Sequence, residues 1–131
     1  MTLSTLADWL SHLETQHVKA IDMGLERVQK VAHVLALQQL GCPVITVAGT
    51  NGKGSTVATL TAIYTAAGYR VGTYTSPHIT YFHERIALQN QPVNDALLIS
   101  AFEHIEAARI SIHTSLTYFE FTTLAALWIF Q

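Results

Sequence analysis

The chain has 131 residues, half of them hydrophobic, a length that supports one domain with a core and falls short of a two-domain enzyme. Seven Lys and Arg against nine Asp and Glu leave a net charge of -2, so there is no basic field to hold nucleic acid or an anionic membrane surface. The single cysteine, Cys42, excludes an internal disulfide and a paired zinc or redox motif, which suits a cytoplasmic protein; residues 116–130 are apolar but interrupted by Glu120, short of the roughly 20 residues that span a bilayer.

Leu3, Leu6, Leu10 and Leu13 recur at helical spacing and predict a first amphipathic helix over 4–15, capped by Ser4 or Thr5. A second helix follows through Leu25, Val28, Val31, Ala32, Leu35 and Leu37 and is expected to end at Gly41, Cys42 and Pro43. The intervening segment 17–24 has neither period nor uniform polarity, as segments that line sites often do. Val44-Ile45-Thr46-Val47-Ala48 is a β-branched run of the kind buried in a parallel sheet. It leads into AGTNGKGST (48–56), then a helix from Ser55 to Ala67 with Gly68 as its C-cap, then a second strand over 70–75. Residues 76–85 (SPHITYFHER) read as a functional loop, and 86–88 as a short strand before the polar turn Gln89-Asn90-Gln91-Pro92. Asn94 or Asp95 caps a helix to about Arg109, and Tyr118 to Phe130 forms the last helix. The class expected is α/β: a P-loop NTPase-like parallel sheet with flanking helices.

A polyphosphate loop needs glycines that let successive N-H groups converge, a lysine to neutralise charge, and a helix N-terminus behind it. Gly49, Gly52, Gly54, Lys53 and the helix beginning near Ser55 meet all three demands. The usual G-x-x-x-x-G-K-[ST] spacing is not met, because Val47 and Gly54 occupy its first and last positions. The bland reading is a Gly-rich β-α turn without a ligand. G-x-G-x-x-G is absent, which counts against a dinucleotide.

VAGTNGKGS followed by TSPH and Phe82-x-Glu84-Arg85 resembles the folate branch of the Mur ligase superfamily, the folylpolyglutamate synthase and dihydrofolate synthase family. Similar segments run in order along the chain: Trp9-Leu10, residues 21–28, Ala67-Gly68-Tyr69, Val71-Gly72 and residues 116–120. The order looks most like the bacterial bifunctional enzyme. The resemblance implies a Mur ligase central domain, of which this chain is part, and an ATP-dependent ligase that adds L-glutamate to dihydropteroate or to a folate through an acyl phosphate. It further implies ATP contacts from Gly49, Thr50, Asn51, Gly52, Lys53, Gly54, Ser55 and Thr56, with Lys53 as the catalytic cation on the terminal phosphates. Ser76 matches the magnesium-ligating serine.

By the same resemblance, Ala20, Ile21, Asp22 and Met23, and Thr117, Tyr118, Phe119 and Glu120, would line the dihydropteroate pocket, and His78 would lie in a loop that closes over the folate. Without it, Tyr118, Phe119 and Phe121 read as core, Asp22 as a helix cap, Ser76 as a turn cap before Pro77, and Glu84 and Arg85 equally as loop anchors or substrate contacts. His78 and His83 lack a third metal ligand, the other five histidines offer no constellation, and no Ser-His-Asp arrangement is legible. Family members are longer and are expected to act as monomers. A second magnesium carboxylate, a metal-ligating histidine, a modified lysine and a glutamate-binding C-terminal domain would lie beyond Gln131, so the chain alone is expected to be truncated and to show no turnover. The competing expectations are a non-catalytic nucleotide-binding fragment and a portion of a cell-wall Mur ligase.

Overall fold

The computed structural model describes residues 3–19 and 21–131. The chain divides into two compact units, one comprising residues up to Gly41 together with Asp95–Gln131, the other Cys42–Asn94.

The first unit is helical: α1 (Leu6–Thr15), α2 (Glu26–Val34), α4 (Asp95–Ser111) and α5 (Tyr118–Phe130), with α3 (Lys53–Ala66) lying in the other unit. The Thr5 side chain accepts from the Asp8 N-H while Asp8 accepts from the Thr5 N-H, a reciprocal cap that sets the start of α1. Helix α4 buries Leu98, Ala101, Phe102, Ile105 and Ala108, the i, i+3, i+4 spacing of a single stripe. Helix α5 buries Phe121, Thr122, Leu124, Ala125 and Ala126, so most of its circumference is enclosed. Phe102 sits between Trp9 and Phe121, each ring pair with centroids 5.8 Å apart. Fully burying side chains of this size contributes about 1.5–3 kcal/mol each.

Helix α2 ends earlier than expected, and without glycine. Ala36 takes φ +55, its N-H donates to the His33 carbonyl, and the Leu37 N-H donates to the Ala32 carbonyl. That is a Schellman closure with alanine in the left-handed position, which stops the helix well before Gly41. His113 (φ +51) closes α4 in the same way, through Thr114 N-H to Arg109 and His113 N-H to Ile110.

The second unit holds α3 (Lys53–Ala66) and three strands, β1 (Gly72–Tyr74), β2 (Ile86–Leu88) and β3 (Gln91–Pro92), with a 3-10 turn at Phe82–Arg85. The α3 C-cap is Ala67, and Gly68, expected as the cap, stands one residue beyond it at φ +89, the left-handed position. The α/β class holds, but β1-β2-β3 is antiparallel throughout, with Thr73 opposite Ala87 and Ala87 opposite Pro92. The reason is local. Gln89 and Asn90 both take positive φ, a two-residue turn whose twist matches an antiparallel hairpin, and it draws Gln91 and Pro92 into the sheet. Val44 to Ala48, expected as a strand, joins no ladder among the described residues, and Val44 and Ile45 are 63% and 56% exposed. A β-branched run becomes a strand only beside a neighbour, and β1 is paired to β2 instead.

Among the described residues no helix is long and apolar enough to cross a membrane.

Candidate functional site

In the second unit, Gly52 is the N-cap of α3 with φ +74, so the chain enters the helix through the left-handed region that glycine occupies without strain. Lys53 is the first helical residue, two positions earlier than the Ser55 start expected. No side chain caps α3, and its first turn carries no acid, so the N-H groups of Lys53, Gly54 and Ser55 open the helix without internal partners. The helix starts at Thr5 and Thr117, by contrast, are closed by their own side chains. Lys53 Nζ donates to the Gly49 carbonyl at 2.6 Å, so the ammonium lies back over the loop. Thr56 donates both its N-H and its hydroxyl to the Gly52 carbonyl. A Cβ added at Gly52 or Gly54 would meet nothing within 4 Å. Open space in front of these glycines, beside orphan N-H groups and an ammonium, is the combination that anion-binding loops use.

Ser76 is exposed and lies two residues past the end of β1 at Tyr74. Among the described residues no group of three or more His, Cys, Asp or Glu could hold a metal. A hydroxyl on its own fits Mg2+ only where phosphate oxygens and water complete the octahedron. Past Ser76 the loop is tied down from within. Glu84 accepts the N-H groups of Ile79, Thr80 and Tyr81 at 2.9, 2.9 and 2.8 Å, and these bonds to its anionic form lower its pKa to about 2. Arg85 Nε donates to His78 Nδ1 at 2.8 Å, and the His78 ring lies against Phe82. Both Glu84 and Arg85 therefore anchor the loop.

In the first unit, the expected substrate residues gather around a cation that sequence reasoning left outside the site. Arg27 reaches Asp22 through NH1 (Oδ2, 3.1 Å) and NH2 (carbonyl, 2.9 Å), and reaches Glu120 through NH2 (Oε1, 2.9 Å) and Nε (Oε2, 3.4 Å). Glu120 also accepts the Thr117 N-H at 2.8 Å, while Thr117 Oγ1 accepts the Glu120 N-H, capping α5. Asp22 Oδ2 meets His17 Nε2 at 3.2 Å, and His17 Nδ1 meets Ser115 Oγ at 2.7 Å. The His17 hydrogen bond, followed by the charge of Arg27, lowers the Asp22 pKa, and the bond to Glu120 raises that of Arg27.

This corrects the reading that no histidine outside the loop joins a constellation: Ser115, His17 and Asp22 form a Ser-His-Asp chain. It is poorly suited to nucleophilic catalysis, because Asp22 shares the same oxygen with Arg27 and so has less charge left to stabilise an imidazolium. Asp22 is paired within this network and caps no helix. Ile21, Met23 and Phe119 stand 81%, 87% and 56% exposed beside these polar residues, so Phe119 is not core, whereas Phe121 is fully buried. Tyr118 is half-buried, and Thr117 and Glu120 are buried. Ala20 lies outside the described residues. Sequence separations of 93 and 98 hide the Arg27–Glu120 and His17–Ser115 contacts, and only T-x-x-E at 117–120, a capping-box pattern, points toward this corner.

No family model matches the chain. The dihydrofolate synthase/folylpolyglutamate synthase of Escherichia coli K12 is 52% identical over 128 residues, covering 98% of this chain and 30% of the relative. That of Haemophilus influenzae is 47% identical over 128 residues, covering 98% and 29%. Escherichia coli FolC in complex with DHPP and ADP superposes with a TM-score of 0.93 at 51% identity, over 97% of this chain and 30% of that one. The bifunctional enzyme with Mn, AMPPNP and L-glutamate bound gives 0.89 at 50%, over 97% and 30%. The folylpolyglutamate synthetase of Lactobacillus casei gives 0.88 at 31%, over 97% and 33%. The chain thus spans about 30% of the length of the relatives it matches, and across that span its sequence and its Mur ligase fold place it in the dihydrofolate synthase/folylpolyglutamate synthase family.

Proposed function

We propose that this chain is part of the ATP-binding domain of a cytoplasmic, monomeric ligase that joins L-glutamate to dihydropteroate or to the γ-carboxylate of a folate. The observation that supports it most is the open start of α3, where the N-H groups of Lys53, Gly54 and Ser55 and the nearby Lys53 ammonium stand beside glycines with open space at their Cβ positions. Relatives at about 50% identity that carry ADP, DHPP or AMPPNP with Mn and L-glutamate support the same reading.

In this mechanism the γ-phosphate of ATP passes to the substrate carboxylate, ADP leaves, and the glutamate amine attacks the acyl phosphate to release phosphate and form the amide. Lys53 and the first-turn N-H groups hold the polyphosphate and offset the charge that builds during transfer. Ser76 would give Mg2+ one hydroxyl ligand, and the metal would supply further charge neutralisation between the phosphates. Exposed Ile21, Met23 and Phe119 offer an apolar surface to a flat pterin, with Asp22 at its polar edge. Residues 78–84 are held in one shape by Glu84 and Arg85.

Calorimetric titration with Mg-ATP, then with dihydropteroate, tests the reading. Binding of both is expected. Binding of Mg-ATP alone leaves a nucleotide-binding fragment, and binding of a UDP-sugar in place of dihydropteroate moves the chain to the cell-wall branch. Glutamate-dependent ADP release by the 131-residue chain alone would overturn the expectation that it does not turn over unaided.

A further inference from the structure

We propose that Arg27 is a positioning residue of the folate site, fixing the Asp22 carboxylate against the start of α5 so that one oxygen of Asp22 is presented to the substrate in a single orientation. The inference rests on the folate-ligase reading above and adds to it a residue with no expected substrate contact.

The geometry divides the labour among the carboxylates. Both oxygens of Glu120 are committed, Oε1 to Arg27 and Oε2 to Arg27 and the Thr117 N-H. Glu120 therefore serves as the counter-charge and helix cap. Asp22 uses only Oδ2, which takes both Arg27 NH1 and His17 Nε2, and among the described residues no donor lies on its Oδ1. The guanidinium spans the two carboxylates and also holds the Asp22 carbonyl, so the backbone of the turn and the side chain are set by the same group. A planar fork with donors in fixed directions can impose such an orientation, and a flexible ammonium cannot. His17 holds Oδ2 from the other side and is itself held by Ser115, just before α5. What remains outward is an anionic acceptor between exposed Ile21 and Met23, suited to a heteroaromatic edge carrying N-H donors.

Removing Arg27 alone leaves Glu120 buried without its counter-charge, which could unfold the corner for reasons unrelated to substrate. The informative variant is thus Arg27→Gln with Glu120→Gln, since Gln at 120 keeps the capping pattern with Thr117. Saturated with Mg-ATP, the parent chain and this double variant are titrated with dihydropteroate, with Arg27→Lys alongside. The double variant is expected to melt close to the parent and bind Mg-ATP equally, yet bind dihydropteroate roughly tenfold or more weakly, the scale of a lost charge-assisted contact. Arg27→Lys should recover only part of that loss.

A second readout separates positioning from general support. His17, Arg27 and Lys19 all act on Asp22 to lower its titration, and Glu26 and Glu120 act on Arg27. In the double variant the Asp22 carboxyl, followed by NMR, should titrate closer to its ordinary 3.8. Equal dihydropteroate affinity in parent and double variant, or a loss no greater than that of Glu120→Gln alone, overturns the role of Arg27 alone. A parent that binds Mg-ATP but no dihydropteroate overturns the folate reading, and this inference with it.

Discussion

In the helical unit Phe102, Phe121, Ile105 and Leu124 have no exposed surface, whereas in the Cys42–Asn94 unit Val44, Ile45 and Ile63 remain more than half exposed and α3 buries only Thr61. The first unit is held by side-chain packing around α4 and α5. The second buries only Phe82, Ile86 and Val93 among its large apolar side chains and adds directed polar bonds: three N-H groups on Glu84, the Gln89–Asn90 turn, and the closure of α3 in which Tyr69 N-H reaches the Tyr64 carbonyl while the two rings meet edge to face at 5.8 Å. Packing is insensitive to charge but intolerant of lost volume, and hydrogen-bonded loops behave in the opposite way. The candidate nucleotide loop belongs to the second kind, which leaves its N-H groups available to a ligand.

The sharpest test of the contrast is Phe102→Ala, which should cost about 3–5 kcal/mol of stability. Urea denaturation followed by the fluorescence of Trp9 and Trp128, both in the helical unit, reads it, and a loss below about 1 kcal/mol would mean that the core is not where the rings place it. Next in size, Lys53→Ala should weaken Mg-ATP binding by about 1.5–3 kcal/mol, the range for a charged hydrogen bond, while the urea midpoint stays in place. A shift in the midpoint without a loss of affinity would reverse the assignment of Lys53 from ligand grip to structure.

Ala36→Gly should stabilise the helical unit by roughly 0.5 kcal/mol, the relief of a left-handed Cβ less the added freedom of the unfolded chain. A destabilised variant would show that Ala36 does not hold φ +55 in solution. The smallest effect is the pH response of the loop. Glu84 has its folded pKa depressed from 4.5 to about 2, so its contribution is complete above the unfolded value and disappears as pH falls through the folded one. Protection of the Ile79, Thr80 and Tyr81 amides, taken relative to their intrinsic exchange rates at each pH, should fall between about pH 4.5 and 2, and Glu84→Gln should remove that dependence.

Helix positions were legible wherever periodicity and caps coincide. Tyr118–Phe130 appears with the bounds expected because Thr117 and Glu120 mark its start and the helix is apolar throughout. The end of α2 was not legible, since nothing distinguishes an alanine that will enter the left-handed region, and Gly41 looked the better stop. Val44 to Ala48 had the composition of a strand, but composition does not supply the neighbour that completes a ladder. At the candidate site, the loop was visible because its chemistry is contiguous, from Gly49 to Thr56. The network around Arg27 was not, because Arg27 and Glu120 become neighbours only after α2 and α5 fold. Sequence alone offers Glu120 as a pocket carboxylate and Asp22 as a pocket residue or a helix cap, with nothing to join the two.

One contact in the loop bears on how tightly a ligand is held. With Lys53 Nζ already resting on the Gly49 carbonyl, the longest and most mobile side chain of the loop is confined before anything binds. An incoming phosphate would exchange one oxygen partner for another at the ammonium, and the rotamer freedom a lysine normally gives up on capture, on the order of 1.5–2 kcal/mol, would already be lost in the free protein.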